Sequence, residues 1–195
     1  MVLTTIDQLW QLAASGQRFG TIYCDPPWRY EKCGKKGAAL THYNTMRLEE
    51  IAEIPVYSLS KRRSHLHLWT TTSFLKEALW LMEKWGFDYK SQLIWCKPTL
   101  GTGNYYRVSH EILLLGARGR LPFEDHSIKS WQVCSRGRHS EKPHFFRELI
   151  EKASPLPRLE LFAREVRDGW TVFGDEFNNN RQIEGGLFET VDSDA

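Results

Sequence analysis

Six short apolar runs punctuate the chain: FGTIYC (19–24), HLHLWT (65–70), SQLIWCK (91–97), EILLLGA (111–117), RLELFAR (158–164) and GWTVFG (169–174). Several are continuous rather than alternating, the pattern of strands covered on both faces. Between them, apolar residues recur at three- and four-residue spacing. Phe74, Leu75, Ala78, Leu79, Leu81, Met82 and Trp85 predict one helix, with Ser73 as its N-cap and Gly86 as its stop. Phe146, Leu149, Ile150 and Ala153 predict another, opened by Pro143 in its first turn. Strands alternating with helices predict an α/β fold on a mostly parallel central sheet with flanking helices. The stretch 98–109, PTLGTGNYYRVS, is too polar and glycine-rich for either element and reads as a loop. No repeat or low-complexity tract interrupts the pattern, so residues 1–177 read as a single domain and 178–195 as a loosely ordered acidic tail.

Composition narrows the class without naming it. A chain of 195 residues with 41% apolar and 26% charged residues has ordinary globular proportions. A net charge of +2 with seven histidines is too mild to demand a polyanionic partner, so partners must be argued from where the basic residues cluster. The N-terminus, MVLTTIDQLWQLAASGQRFG, lacks a basic segment followed by a long apolar core, and no apolar run approaches membrane-spanning length. A cytoplasmic protein is expected. Cys24, Cys33, Cys96 and Cys134 form no C-x-x-C pair and no zinc spacing, which predicts free thiols in a reducing compartment and no metal. Eight tryptophans exceed what packing usually needs, because each indole N–H must also find a partner.

Chemistry concentrates in TIYCDPPWRY (21–30). Prolines supply no backbone donor and fix φ, so the strand must stop and the chain must turn stiffly. Strand ends in α/β sheets are where ligands are usually met. The bland reading of D-P-P is a turn beside a packing tryptophan. The more specific one is that Asp25 and the carbonyls of Pro26 and Pro27 offer acceptors and no donor, which suits the two hydrogens of a planar amine. Trp28 adds a face on which a flat base stacks. That set suits methylation of an aromatic exocyclic amine.

The tetrapeptide D-P-P-W resembles motif IV of amino-methyltransferases. In its tryptophan form it resembles the adenine-N6 methyltransferase family named for the MT-A seventy-kilodalton subunit. Further landmarks recur in order: HYNTM (42–46), QLIWCKP (92–98), SHEILLLGARG (109–119), HSEKPHFFRELIE (139–151), RLELFAR (158–164) and GWTVFGDE (169–176). The resemblance implies a Rossmann-like fold with permuted motif order, the catalytic strand preceding the cofactor strand. It also implies S-adenosylmethionine as donor, S-adenosylhomocysteine as product, and adenine in a polynucleotide as acceptor. The permuted order accounts for the lack of G-x-G-x-x-G. By resemblance, Asp25 contacts the target amine and the donor's amino group, while Pro26, Pro27 and Trp28 hold the base. Tyr43 and Glu111 match further base-pocket positions. Lys142 matches the lysine that meets the donor carboxylate; Phe162, Arg164, Asp175 and Glu176 match its ribose side. Asp175 stands where asparagine is common, and Val166 and Arg167 stand where some members carry a histidine-asparagine pair. Asp7 either reaches the donor's adenine or caps the QLWQLAA helix.

Lysines Lys32, Lys35 and Lys36, interleaved with glycine beside the D-P-P-W corner, predict a segment that closes over phosphates, and Arg136 and Arg138 predict further backbone contacts. Arg62 and Arg63 read as solvated surface. His65 and His67 fall on one strand face and read as packed or solvent-facing rather than as a metal site, which usually needs three or four ligands. The small size without a separate recognition domain favours DNA in a bacterial or phage-infected cell. An RNA adenine methyltransferase is the nearest alternative, and a non-catalytic nucleic-acid-binding subunit supporting an active partner is another. Methylation of a protein amide goes with asparagine and tyrosine in place of Asp25 and Trp28. Family members often pair two such domains, which implies a homodimer or a partner subunit.

Overall fold

The apolar runs become neighbours in one sheet. A computed structural model describes residues 1–29, 45–101, 105–135 and 142–174. Its strands are β1 (Val2–Leu3), β2 (Phe19–Cys24), β3 (Ser60–Thr70), β4 (Asp88–Cys96), β5 (His110–Arg118), β6 (Trp131–Val133), β7 (Arg158–Leu161) and β8 (Trp170–Phe173). Their order across the sheet is β1-β8-β7-β2-β3-β5-β4-β6. Every neighbouring pair is parallel except the two that β5 makes with β3 and β4. This is the α/β, mostly parallel architecture that the alternating elements predict, and it agrees with the Rossmann-like fold that the resemblance implies.

Helices α1 (Ile6–Ala14), α2 (Leu48–Ala52), α3 (Val56–Leu59), α4 (Leu75–Lys84) and α5 (His144–Ala153) cover the two faces unequally. Side chains alternate across a strand, so Ile22 and Cys24 of β2, with Leu66 and Leu68 of β3, join the core beneath α1 to α4. Tyr23 and Trp69 point the other way and pack with Phe146 and Ile150 of α5. Gly86 adopts φ +78° after α4, the left-handed stop the sequence marks.

Local chemistry moves several predicted boundaries. Ser73 lies inside a 3-10 turn, Thr72–Phe74, and α4 starts after Phe74. Pro143 is the N-cap of α5, one position earlier than predicted. Asp7 does not cap α1. Thr5 does, its hydroxyl accepting from Gln8 N–H while the Gln8 side chain accepts from Thr5 N–H at 3.1 Å. β3 begins at Ser60 because its backbone pairs on while Lys61, Arg62 and Arg63 stay exposed, and such solvated residues leave no apolar signal. β7 ends at Leu161 because Phe162 turns to φ +62°. β1 and β6 are too short to show a period.

His65 and His67 are buried, and both rings reach the Ser154 hydroxyl at 2.9 Å. Burial holds both imidazoles below their ordinary pKa; for His67, burial and then His65 lower it to about 3. The unfolded chain therefore binds more protons than the folded one between pH 6.5 and about 3. Stability is expected to fall as pH drops below 6.5, by up to about 1.4 kcal/mol per unit for His67. Urea midpoints at pH 7, 6 and 5 check this, and His67→Gln flattens the dependence.

Candidate active site

β2 runs its full length buried and ends where the prolines begin, delivering Asp25 to the carboxyl edge of the sheet. The chain leaves β2 toward β3 on one side, while β7 and β8 lie on the other. Asp25 thus sits at the switch point where open α/β sheets leave a crevice. Its N–H lies 3.5 Å from Leu161 O of β7. Pro26 O accepts Trp28 N–H and Pro27 O accepts Met46 N–H, each at 2.9 Å, so each carbonyl keeps one lone pair for another donor. Trp28 is fixed by its indole N–H to Trp69 O at 3.3 Å and by Phe74, whose ring stacks at 5.4 Å and 16°. Phe74 covers one face of the indole. Sequence reasoning assigned Phe74 to the helix and missed this role, since the 3-10 turn that aims it has no period.

Four charged groups meet at the same edge. Lys142 Nζ lies 2.6 Å from Asp25 Oδ2 and 3.4 Å from Glu111 Oε2, and Glu111 also pairs with Lys97. All are largely shielded: the Lys142 side chain is 14% exposed and that of Asp25 24%. Burial opposes the charge on Glu111, but Lys142 and Lys97 outweigh it and hold its carboxyl below the ordinary range. Burial likewise opposes the charge on Lys142, and Asp25 and Glu111 outweigh it and raise its pKa. Each of these two shifts favours the charged form, in a row of two acids alternating with two bases.

Tryptophans floor this chain of charge. Lys142 Nζ stands 5.3 Å over the Trp69 ring and Lys97 Nζ 4.4 Å over Trp95. The indole N–H groups point away, Trp69 to Tyr23 Oη at 2.7 Å and Trp95 to Cys134 O at 2.9 Å. The surplus of tryptophan thus has a partial explanation. Lys97 was legible only as part of a family block, because its partner lies on the facing strand β5, where Trp95 pairs with Glu111.

Other candidates are spread along this edge or fall outside the description. Phe162 follows β7 at φ +62°, rare for a bulky side chain, and packs edge-on against Phe173 at 5.9 Å. Arg164 is half-buried two residues on. Asp7 is exposed in the first turn of α1. The strand that precedes α1, β1, lies three positions from β2, about 14 Å at usual strand spacing. Tyr43, Lys35, Lys36, Arg136, Arg138, Asp175 and Glu176, with the tail 178–195, lie outside the described residues. Cys24 is buried, and burial, then Asp25, push its thiol well above the usual range. Among the described residues no helix is long and apolar enough to cross a membrane.

Comparison with known proteins fits this geometry. The sequence profile of the MT-A70 family matches residues 19–176, from the start of β2 past the end of β8. A type II methyltransferase, M.MunI, of a Mycoplasma species is 30% identical over 187 residues, covering 85% of this chain and 80% of that protein. An N(6)-adenosine-methyltransferase MT-A70-like protein of Arabidopsis thaliana is 29% identical over 181 residues, covering 87% of this chain and 25% of that one. The N6-methyladenosine RNA methyltransferase MTA1 of Pyricularia oryzae is 28% identical over 184 residues, covering 85% and 48%. The chain therefore spans most of the mycoplasma protein and under half of the other two.

Proposed function

The chain belongs to the MT-A70 family of methyltransferases, and from that premise we propose that it transfers a methyl group from S-adenosylmethionine to the N6 amine of adenine in DNA. One observation carries the reading: a shielded carboxylate and ammonium, Asp25 and Lys142, lie 2.6 Å apart at the switch point beside a stacked Trp28. An acid and a base so placed suit the zwitterionic amino-acid end of the donor, Lys142 taking its carboxylate and Asp25 its amino group. Phe162 and Arg164 flank the ribose side, with Asp175 and Glu176 beyond the described residues. When bound, S-adenosylmethionine supplies an electrophilic methyl on a sulfonium, which leaves as a neutral thioether.

The adenine amine is a poor nucleophile because its lone pair is delocalised into the ring. Asp25 and the spare lone pair of a proline carbonyl accept its two hydrogens and localise that lone pair outward. The N6–C bond forms as the S–C bond breaks, and one amine proton leaves through its hydrogen bond to an acceptor. Alignment supplies much of the rate. In a duplex the target base must leave the stack, and Trp28 with Tyr43 replaces the stacking lost. The match to a type II methyltransferase, of which the chain covers 80%, favours DNA in a bacterial or phage-infected cytoplasm. The relative named as an RNA methyltransferase makes RNA the second reading. A homodimer or a partner subunit accompanies either reading.

Labelled-methyl transfer to single- and double-stranded DNA and RNA tests the proposal. Label on adenine in DNA is expected; label confined to RNA selects the second reading. Donor binding without transfer to any polymer selects a supporting subunit. Lys142→Met is expected to weaken donor binding roughly 10- to 100-fold, measured by calorimetry without acceptor. Unchanged donor affinity would remove Lys142 from the donor site.

A further inference from the structure

We infer that Tyr105 and Tyr106 form a stacking platform for nucleotides flanking the target base, an inference that rests on the nucleic-acid reading above. The two adjacent rings are 95% and 94% exposed, more than any other aromatic side chain among the described residues. Leu100, 84% exposed, stands at the other side of the same loop. Core packing explains none of the three.

The loop is anchored in the candidate site. Lys97 N–H donates to Ser109 O at 2.7 Å, and the next residues along β4 and β5 carry the pair of Lys97 with Glu111. At the neck the chain passes so close to itself that a Cβ on Gly101 would fall 1.7 Å from Val108 O, so only glycine fits. The two ends of this segment are thus held together at the edge that carries Asp25.

Its chemistry selects the occupant. Residues 98–110 contain an arginine and a histidine but no acid, so nothing repels a phosphate. Tyrosine offers a flat face with a polar tip, stable in water and able to stack on any base. Anchored at Lys97, which pairs with Glu111 in the candidate site, the rings lie beside the place where a polymer would present its target base.

The test is anisotropy of fluorescein-labelled adenine oligonucleotides, single- and double-stranded, on the full chain with S-adenosylhomocysteine present. Tyr105→Ala and Tyr106→Ala are each expected to weaken binding about 5- to 150-fold, while the phenylalanine variants hold it. The slope of log affinity against log salt stays unchanged, because no phosphate contact is lost. Melting temperature also stays unchanged, since the rings touch no core. Equal binding by the alanine variants overturns the platform alone. Loss in the phenylalanine variants overturns stacking in favour of the hydroxyls. A fall from dimer to monomer mass in the alanine variants reassigns the loop to an interface between copies and overturns it too. If the wild-type chain binds the donor product but no oligonucleotide, the nucleic-acid reading fails and the platform with it.

Discussion

Asp25→Asn is expected to lower methyl transfer about 10²- to 10⁴-fold with little change in melting temperature. The carboxylate offers two acceptor oxygens and no donor, whereas the amide replaces one acceptor with an NH₂ group. That group faces either the amine hydrogens of adenine or the Lys142 ammonium, and both are donors. The fold tolerates the change because Asp25 lies after the end of β2 and its side chain is 24% exposed. Lys142 retains Glu111 at 3.4 Å. Transfer of labelled methyl, beside thermal melts of both proteins, measures the effect. Activity within tenfold of wild type would mean that the proline carbonyls and alignment suffice, and that Asp25 positions Lys142 instead.

The D-P-P-W corner was legible because it is local. β2 reads directly from FGTIYC, since a strand covered on both faces needs no alternation, and the prolines that stop it adjoin it. Asp25, Glu111 and Lys142 could be named singly from motifs, but their meeting could not. Asp25 and Lys142 lie 117 residues apart and touch only because the sheet sets β2 near β5 and α5 returns beside them. Trp69 and Trp95 fall within the apolar runs and are core, 1% and 3% exposed, yet they also carry the two lysines. Amphipathic spacing put Phe146 and Ile150 inward on α5, but Leu149 is only half-buried and Arg147 takes an inward place. A charged residue at a core position has no periodic signature, because its partner lies on another strand.

That partner is Glu160 of β7, which accepts from Arg147 Nη2 at 2.8 Å, while Nη1 reaches Glu165. Burial opposes the arginine's charge, but Glu160 outweighs it and raises its pKa. Removing one partner of a buried pair leaves the other uncompensated, so Arg147→Met is expected to destabilise the fold by about 3–5 kcal/mol. Glu160 is poorly placed to bear this, being 6% exposed with Oε2 already lacking a hydrogen-bond partner among the described residues. Burial already holds the Glu160 carboxyl above its ordinary range despite Arg147; without Arg147 it rises further, and the folded chain holds the extra proton. Stability of the variant therefore falls as pH rises, and its deficit is larger at pH 8 than at pH 5. Arg147→Met combined with Glu160→Met removes both charges and is expected to recover most of the loss. Urea unfolding at pH 5, 6.5 and 8 separates these cases. A single variant within about 1 kcal/mol of wild type, or a double variant no better than the single, would show that water already reaches Glu160.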